Sequence, residues 1–162
     1  MKKSVLLLFF AGCVATGIFG IGRKIPMNRV NDLGQREGYW RDSVGGGFVY
    51  DLYYKGGKKD GLYKRFYRNK LFLFGEYTAD NISGTWYMFG DEGELRCTID
   101  SIELNKDSIY TGYCRIFCKY KCHSIDYYPS GAVKSEGYMV CDEEFEIEIW
   151  EIGEWKYCLL YT

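Results

Sequence analysis

Short runs of aromatic and aliphatic residues recur along the chain, and turn residues bound each run. Between Gly61 and Gly84, one run covers residues 62–67, a polar break falls at 68–70, and a second run covers 71–77. Two short apolar runs around a polar break are typical of a β-hairpin. The pattern therefore predicts paired antiparallel strands for this segment.

The glycine that opens this hairpin recurs at a fixed spacing. Gly38, Gly61 and Gly84 lie 23 residues apart, and Gly153 follows 69 residues, or three periods, after Gly84. Self-similarity at a period of about 20–50 residues is typical of stacked repeat arrays. An aromatic residue stands two positions after each glycine, and we expect these four to occupy equivalent places on successive hairpins: Trp40, Tyr63, Trp86 and Trp155.

These motifs resemble the MORN repeat, and more closely its bacterial variant, which runs Gly-x-Trp-x-x-Tyr-Tyr and then Asn-Gly-x-Leu-x-x-Glu-Gly-x-Tyr. Residues 61–77 and 127–138 match best, 153–157 open a further unit, and 97–124 fit no clean repeat. The resemblance implies an all-β fold, an array of stacked antiparallel β-hairpins that form an extended, twisted single-layer sheet over residues 31–162. It also implies membrane attachment or protein scaffolding. Bacterial members are often labelled antitoxins of toxin–antitoxin systems.

Composition agrees with a thin sheet. Aromatic residues make up 19 % of the 162 residues, with 16 Tyr and only 2 Pro. Tyr and Trp favour pleated, half-buried surfaces, and their polar tips tolerate a partly wet face.

Residues 98–104 and 109–117 are predicted as two strands, and the strict alternation over 144–149 predicts another. The net charge of −1 gives no global case for nucleic acid.

The first 22 residues resemble an export signal. Two lysines precede an apolar core at 4–10, and Phe-Ala-Gly-Cys at 10–13 resembles a lipobox, so Cys13 is predicted to be acylated. Two alternatives stay open: cleavage among the small residues at 17–20, or retention of 4–22 as a membrane anchor, which is near the spanning length. Residues 23–30 would form a basic tether. If the chain is bacterial, all three readings place the repeats outside the cytoplasm, as a lipoprotein, a secreted protein or a single-span membrane protein.

Six cysteines remain beyond Cys13, and an even number in an exported chain permits disulfides in 15 connectivities: Cys97, Cys114, Cys118, Cys122, Cys141 and Cys158. The alternative is that they are small buried hydrophobes. Cys114, Cys118 and Cys122 are four apart, hence about 13 Å apart on one straight strand. That distance excludes bridges among these three, because a disulfide needs Cα atoms within about 7 Å.

The segment from Cys118 to His123 suggests two cofactor sites. Covalent c-type haem uses Cys-x-x-Cys-His, whereas here three residues separate the cysteines and His123 is the only histidine. A zinc site could use Cys114, Cys118, Cys122 and His123, but strand spacing separates the ligands by more than zinc bonds allow. We therefore predict no cofactor and no metal.

Catalysis also finds little support. Glu144, Glu146 and Glu148 would share one strand face at about 7 Å, within the range of glycosidase carboxylate pairs. A charged row opposite an apolar row is more often a solvated face or edge protection. Nucleophilic catalysis would depend on His123, and no Gly-x-Ser-x-Gly elbow accompanies it. The prediction is that the chain is not an enzyme.

Charge is segregated along the chain. A basic cluster, predicted to contact a membrane or partner, comprises Lys55, Lys58, Lys59, Lys64, Arg65, Arg68 and Lys70. Acidic residues gather at 142–154. The basic unit could meet anionic lipid head groups, the opposite charges could stack copies head to tail, or both could simply favour solubility.

These patterns favour a non-catalytic binding or scaffolding module held at a bacterial envelope membrane, as a periplasmic or surface lipoprotein. Its partner would be a protein, a glycan or lipid head groups, and not nucleic acid. An antitoxin that binds a toxin protein is the alternative, although an export signal fits it poorly. A small envelope enzyme or a metal or haem protein using the Cys/His cluster is the third possibility.

Overall fold

The computed structural model describes residues 26–106, 109–110, 115–116, 118–142 and 149–159. Every regular element in these ranges is a strand, so they contain no helix that could cross a membrane. The strands are β1 (Arg29–Val30), β2 (Arg36–Val44), β3 (Phe48–Lys55), β4 (Lys58–Tyr67), β5 (Lys70–Thr78), β6 (Asn81–Phe89), β7 (Leu95–Leu104), β8 (Ile109–Tyr110), β9 (Arg115–Ile116), β10 (Tyr120–Tyr127), β11 (Val133–Cys141) and β12 (Ile149–Tyr157).

Ten of these strands form one open antiparallel sheet in chain order, with β7 beside β10. β8 and β9 pair only with each other, in the connection between those two strands. The prediction of an all-β array of hairpins in an extended single-layer sheet is confirmed. The single strand predicted over 109–117 is wrong, because the chain reverses between β8 and β9. The strand predicted over 144–149 lies outside the described residues except at Ile149.

The sheet also begins earlier than predicted. β1 pairs with β2 through Arg29–Glu37 and Val30–Arg36, and Met27 bridges to Tyr39. The last residues of the predicted tether therefore belong to the sheet.

Tight turns set the hairpin register. Positive φ angles occur at both central residues of three two-residue turns: Gly56–Gly57 (56° and 84°), Arg68–Asn69 (47° and 66°) and Ala79–Asp80 (49° and 70°). This is the type I′ geometry, whose twist matches that of paired strands. The polar break predicted at 68–70 is thus one of these turns.

Each repeat glycine after the first lies in a β-bulge. The pairing register shifts beside Gly61, Gly84 and Gly153, and at each shift three residues of the glycine's strand face one residue of the neighbouring strand. The φ angles of these glycines are +121°, +65° and +68°. Glycine adopts such angles without the Cβ clash of other residues. The recurring glycine therefore marks a recurring bulge.

The four repeat aromatics follow these glycines on β2, β4, β6 and β12. Tyr63, Trp86 and Trp155 face the side of the sheet that we call the core face, together with Leu73, Tyr77, Ile99 and Cys122. Trp40 is on the same side, because it lies opposite the core residue Leu52. Trp86 is 0 % exposed, and its ring lies 5.5 Å from Tyr63 and 5.3 Å from Tyr77. The opposite side, the outer face, carries aromatic pairs such as Phe74–Tyr87. Burial on one face explains why the strands alternate.

Candidate functional site

A groove of about 540 Å³ lies on the core face near the C-terminal end of the sheet. Strands β6, β7, β10, β11 and β12 line it. Its floor is mainly apolar, with Met88, Cys97, Ile99, Met139 and Trp155. A charged rim surrounds the floor, and it comprises Arg96, Asp126, Lys134 and Glu151. An apolar concavity with a few polar groups at its margin is the usual form of a binding site.

The indole of Trp155 forms one wall of the groove. The Trp155 ring lies over Gly137 on the neighbouring strand, where a Cβ would overlap it. The indole Nε1 donates a hydrogen bond to the Tyr138 carbonyl at 2.9 Å. Both contacts fix the ring against β11. Trp155 is half-buried, so one face of the indole is left for the groove.

Two hydrogen bonds hold polar groups of the floor and of the rim in place. Cys97 Sγ and Ser124 Oγ lie 3.2 Å apart, and Ser135 Oγ donates to the Asp126 carboxylate at 2.9 Å. Burial raises the pKa of the Cys97 thiol to about 12, although its hydrogen bond to Ser124 opposes the rise. The thiol is therefore a neutral, weakly reactive part of the floor at physiological pH.

Two of the charged rim residues, Arg96 and Glu151, form polar contacts with neighbouring side chains. Arg96 Nε lies 3.0 Å from Glu94 Oε1. Tyr157 donates its hydroxyl to Glu151 at 2.7 Å, and that bond to the carboxylate raises the pKa of Tyr157. These contacts are exposed and worth little energy individually. They place charges of both signs around an apolar floor.

The basic cluster predicted from the sequence does not form one patch. Arg65 is 5 % exposed, and its guanidinium packs over the rings of Phe48, Tyr50 and Phe72 at 4.4–5.5 Å. The prediction that Arg65 contacts a membrane or partner is therefore wrong. Its charge lies in the core face because aromatic rings stabilise a guanidinium there.

The other six members separate along β4 and its turns. Lys55 and Lys58 flank the turn at one end, whereas Arg68 lies in the turn at the other end and Lys70 follows it. Ten residues of strand place these ends about 30 Å apart. Lys59 lies over the Tyr77 ring at 4.7 Å on the core face. Lys64, on the outer face, pairs across the strands with Asp51.

Lys70 makes an additional contact at its turn. Its Nζ donates to the Asp91 carbonyl and lies 3.8 Å from Glu92. This lysine therefore joins the β4–β5 turn to the β6–β7 turn. Part of the basic cluster thus serves contacts within the sheet.

Four of the described cysteines, Cys97, Cys122, Cys141 and Cys158, carry free thiols. Cys122 and Cys141 are buried on adjacent strands with their sulfurs 3.6 Å apart. Cys118 instead packs with Val140 and Ile152, in a cluster separate from the main core. It precedes β10, so Cys118 and Cys122 do not share a strand and the spacing for one straight strand does not apply to this pair. Cys13 and Cys114 lie outside the described residues.

His123 lies on the outer face, whereas Cys122 faces the core. The imidazole lies between two carboxylates, with Nδ1 3.3 Å from Asp100 and Nε2 3.3 Å from Glu136. Adjacent residues of a strand point to opposite faces, so Cys122 and His123 cannot meet at one haem or zinc. Within the described ranges, no three His, Cys, Asp or Glu side chains could hold a metal ion. The glutamates at 144, 146 and 148 lie outside those ranges.

The groove was missed by sequence reasoning, although one of its signals is visible. Trp155 follows Gly137 by 18 residues, whereas Trp86 follows Gly75 by 11. Because the two spacings differ, the glycine–tryptophan contact that the two pairs share is not visible as a repeat in the sequence. The chain matches no protein-family model and no curated protein in sequence comparison. The resemblance to the MORN repeat therefore stays a prediction.

Proposed function

We propose that this chain is a non-catalytic binding module whose groove receives a bulky apolar side chain from a protein partner. The observation that carries the proposal is the groove itself, an apolar floor open to solvent within a charged rim. The floor contains two methionines, Met88 and Met139. Methionine is flexible and polarisable, and it is common at surfaces that accept varied apolar partners.

A protein segment fits this site better than lipid head groups do. The rim offers both cations and carboxylates, which suits a polypeptide with mixed charges around an apolar anchor. An anionic membrane would instead require a surface of one sign. The basic cluster does not supply such a surface, since its exposed members lie at opposite ends of β4.

We further propose that the module is attached to a bacterial cell envelope. The support comes from the lipobox-like sequence that ends at Cys13. Acylation of this cysteine would tether the sheet at the membrane and leave the groove free for its partner. Loss of membrane retention and processing in Cys13→Ala is the expected result. Unchanged retention and processing would contradict the lipoprotein proposal without affecting the groove.

The groove is tested by offering the full chain three probes: a random peptide library, an array of bacterial cell-wall glycans, and vesicles of anionic phospholipid. We expect selection of peptides that share one bulky apolar residue. Met88→Glu should lower the affinity for the selected peptides by about tenfold or more, because it places a charge in the apolar floor. Met88 is half-buried at the groove, so the variant can solvate the charge when the groove is empty.

Leu104→Glu is the matched control, since Leu104 is 60 % exposed and does not line the groove. It should bind the peptides as the natural chain does. Binding of the natural chain to glycans or vesicles in preference to peptides would contradict the proposal. So would an equal loss of peptide affinity in Met88→Glu and Leu104→Glu. Circular dichroism on both variants shows whether the sheet is intact.

A further inference from the structure

Two buried thiols lie within reach of each other in the C-terminal part of the sheet. Cys122 Sγ on β10 and Cys141 Sγ on β11 are 3.6 Å apart, and both residues are 0 % exposed. In the register of these strands Cys122 lies opposite Met139 and Cys141 lies opposite Tyr120, so the cysteines are diagonal neighbours on the core face. A disulfide has a sulfur–sulfur length of about 2.05 Å. The sulfurs have to approach by about 1.5 Å. Because diagonal neighbours on paired strands have Cα atoms about 7–8 Å apart, at the upper limit for a disulfide, the two strands also have to draw together slightly.

We propose that Cys122 and Cys141 form a disulfide that ties β10 to β11 in the mature protein. The oxidant is another disulfide, either that of an oxidoreductase or oxidised glutathione. One thiolate attacks the oxidant's sulfur and forms a mixed disulfide, and the second thiolate then displaces the oxidant's remaining thiol. One sulfur–sulfur bond forms, one breaks, and two electrons and two protons pass to the oxidant.

The other described cysteines are poorly placed to compete. Cys97 lies opposite Asp126, which is four residues and about 13 Å along β10 from Cys122. Cys118 lies in the separate cluster with Val140 and Ile152. Cys158 is exposed, and its backbone nitrogen bonds to Lys134, about 23 Å along β11 from Cys141. Among the five cysteines that the structure describes, Cys122 and Cys141 are thus the pair best placed for a disulfide.

The burial of the pair fixes when the bond can form. Neither sulfur is accessible in the closed sheet, so oxidation has to occur while β10 and β11 are still assembling. Once the sheet has closed without the bond, the hydrogen bond between the Cys141 and Cys122 thiols, followed by burial, holds the pKa of Cys141 far above its ordinary value. Cys141 is then unreactive, because thiolate is the attacking species, and burial shields both sulfurs from an oxidant.

The bond would also affect the groove. Cys122 lies directly opposite Met139, which is part of the groove floor, and Cys141 follows Met139 by two residues on β11. A covalent link at this position would hold the β10–β11 hairpin, and with it the floor, in one arrangement. This inference does not depend on the identity of the groove's partner.

The test begins with the full chain, denatured, reduced and then refolded in a mixture of reduced and oxidised glutathione at the redox poise of an oxidising compartment. Free thiols are trapped with N-ethylmaleimide after denaturation, and peptides are analysed by mass spectrometry without reduction. We expect one linked pair of peptides containing Cys122 and Cys141, about 2 Da lighter than the two thiol peptides together. Maleimide should label Cys97 and Cys158.

Two variants make the result specific. Cys97→Ser should leave the Cys122–Cys141 link unchanged, whereas Cys122→Ser should leave Cys141 as a maleimide-reactive thiol after denaturation. Full maleimide labelling of both Cys122 and Cys141 in the refolded natural chain would overturn the proposal. So would a link from either of them to Cys114 or to any other cysteine. Because the refolding is done in vitro, the outcome is independent of where the protein is located.

Discussion

The sheet contains the same local contact twice, and the two copies have different surroundings. On β6, Trp86 covers Gly75 of β5, and on β12, Trp155 covers Gly137 of β11. In both copies the tryptophan follows a bulge glycine by two residues, and its indole nitrogen donates to a backbone carbonyl at 2.9–3.0 Å. Trp86 is completely buried, whereas Trp155 is half-buried beside a groove.

The difference lies in the neighbouring strands. Trp86 lies on an interior strand, where the rings of Tyr63 and Tyr77 pack against it. Trp155 lies on β12, the last strand of the described sheet, and its ring partner is the exposed Tyr157 at 6.3 Å. A bulge glycine and a tryptophan therefore fix only the local contact. The strands on either side decide whether that contact becomes sealed core or the wall of a groove.

The largest expected difference between the two sites concerns removal of the indoles. Trp86→Ala should lower the free energy of unfolding by about 3–5 kcal/mol, because it leaves a cavity among packed rings. Trp155→Ala should cost about 1–2 kcal/mol, since part of that ring already contacts water. Urea denaturation followed by circular dichroism measures both. Equal losses would show that the half-buried indole is as important to the fold as the buried one.

Adding a methyl group under each indole should give a smaller contrast. Gly75→Ala inserts a Cβ into the space of the Trp86 ring, and we expect a loss of about 2–3 kcal/mol from overpacking. Gly137→Ala should cost less than about 1 kcal/mol, because the Trp155 ring can shift into the groove. Neither glycine has a positive φ, so backbone strain does not contribute. If Gly137→Ala proved the more damaging change, Trp155 would be held as rigidly as Trp86.

The hydrogen bond to Asp126 in the rim of the groove provides a third measurement. Ser135 is 3 % exposed and donates a hydrogen bond to Asp126 at 2.9 Å. Ser135→Ala should cost about 1–2 kcal/mol, since a charged acceptor loses a buried partner. Ser130→Ala, at an exposed turn position, is the control and should be close to neutral. Equal urea midpoints for the natural chain and Ser135→Ala would indicate that water in the groove replaces the hydroxyl.

The smallest effect is expected at the outer margin. Tyr157→Phe removes the hydrogen bond to Glu151 but keeps the ring beside Trp155. The urea midpoint should not change measurably, because both groups are exposed. Burial raises the pKa of Tyr39 to about 12, and the bond to Glu151 raises the pKa of Tyr157. The tyrosinate absorbance that titrates above the ordinary tyrosine pKa should therefore decrease in the variant by the share of one tyrosine, and the component from Tyr39 should stay. A clear loss of stability would show that the C-terminal margin is more closed than its exposure indicates.

The repeat could be recognised from the sequence because the bulge needs a glycine at one position in each unit. This glycine has a positive φ at Gly61, Gly84 and Gly153. The aromatic residue two positions after each of them packs in the core cluster, so both residues recur in the sequence. Between β7 and β10 the bulge falls at Ser101, which has a φ of 51°, so no glycine marks it in the sequence. This substitution explains why residues 97–124 fit no clean repeat.

The sites were harder to predict because they depend on neighbours that are distant in sequence. Arg65 stands among basic residues in the chain, but its burial is decided by Phe48 and Phe72 on adjacent strands. The groove depends on where the sheet ends, which no local motif records. The pairing of Cys122 with Cys141 required the register of β10 and β11.

The bulge spacing has a consequence for how such a chain can change length. Gly61 and Gly84 begin equivalent stretches of β4 and β6, so the 23 residues from Gly61 to Ser83 span one strand pair between equivalent points. Duplicating or deleting this segment would add or remove two strands while every remaining side chain kept its face. Recombination within one gene could therefore lengthen the array in steps of a hairpin, and the groove at the last strands would be carried along unchanged.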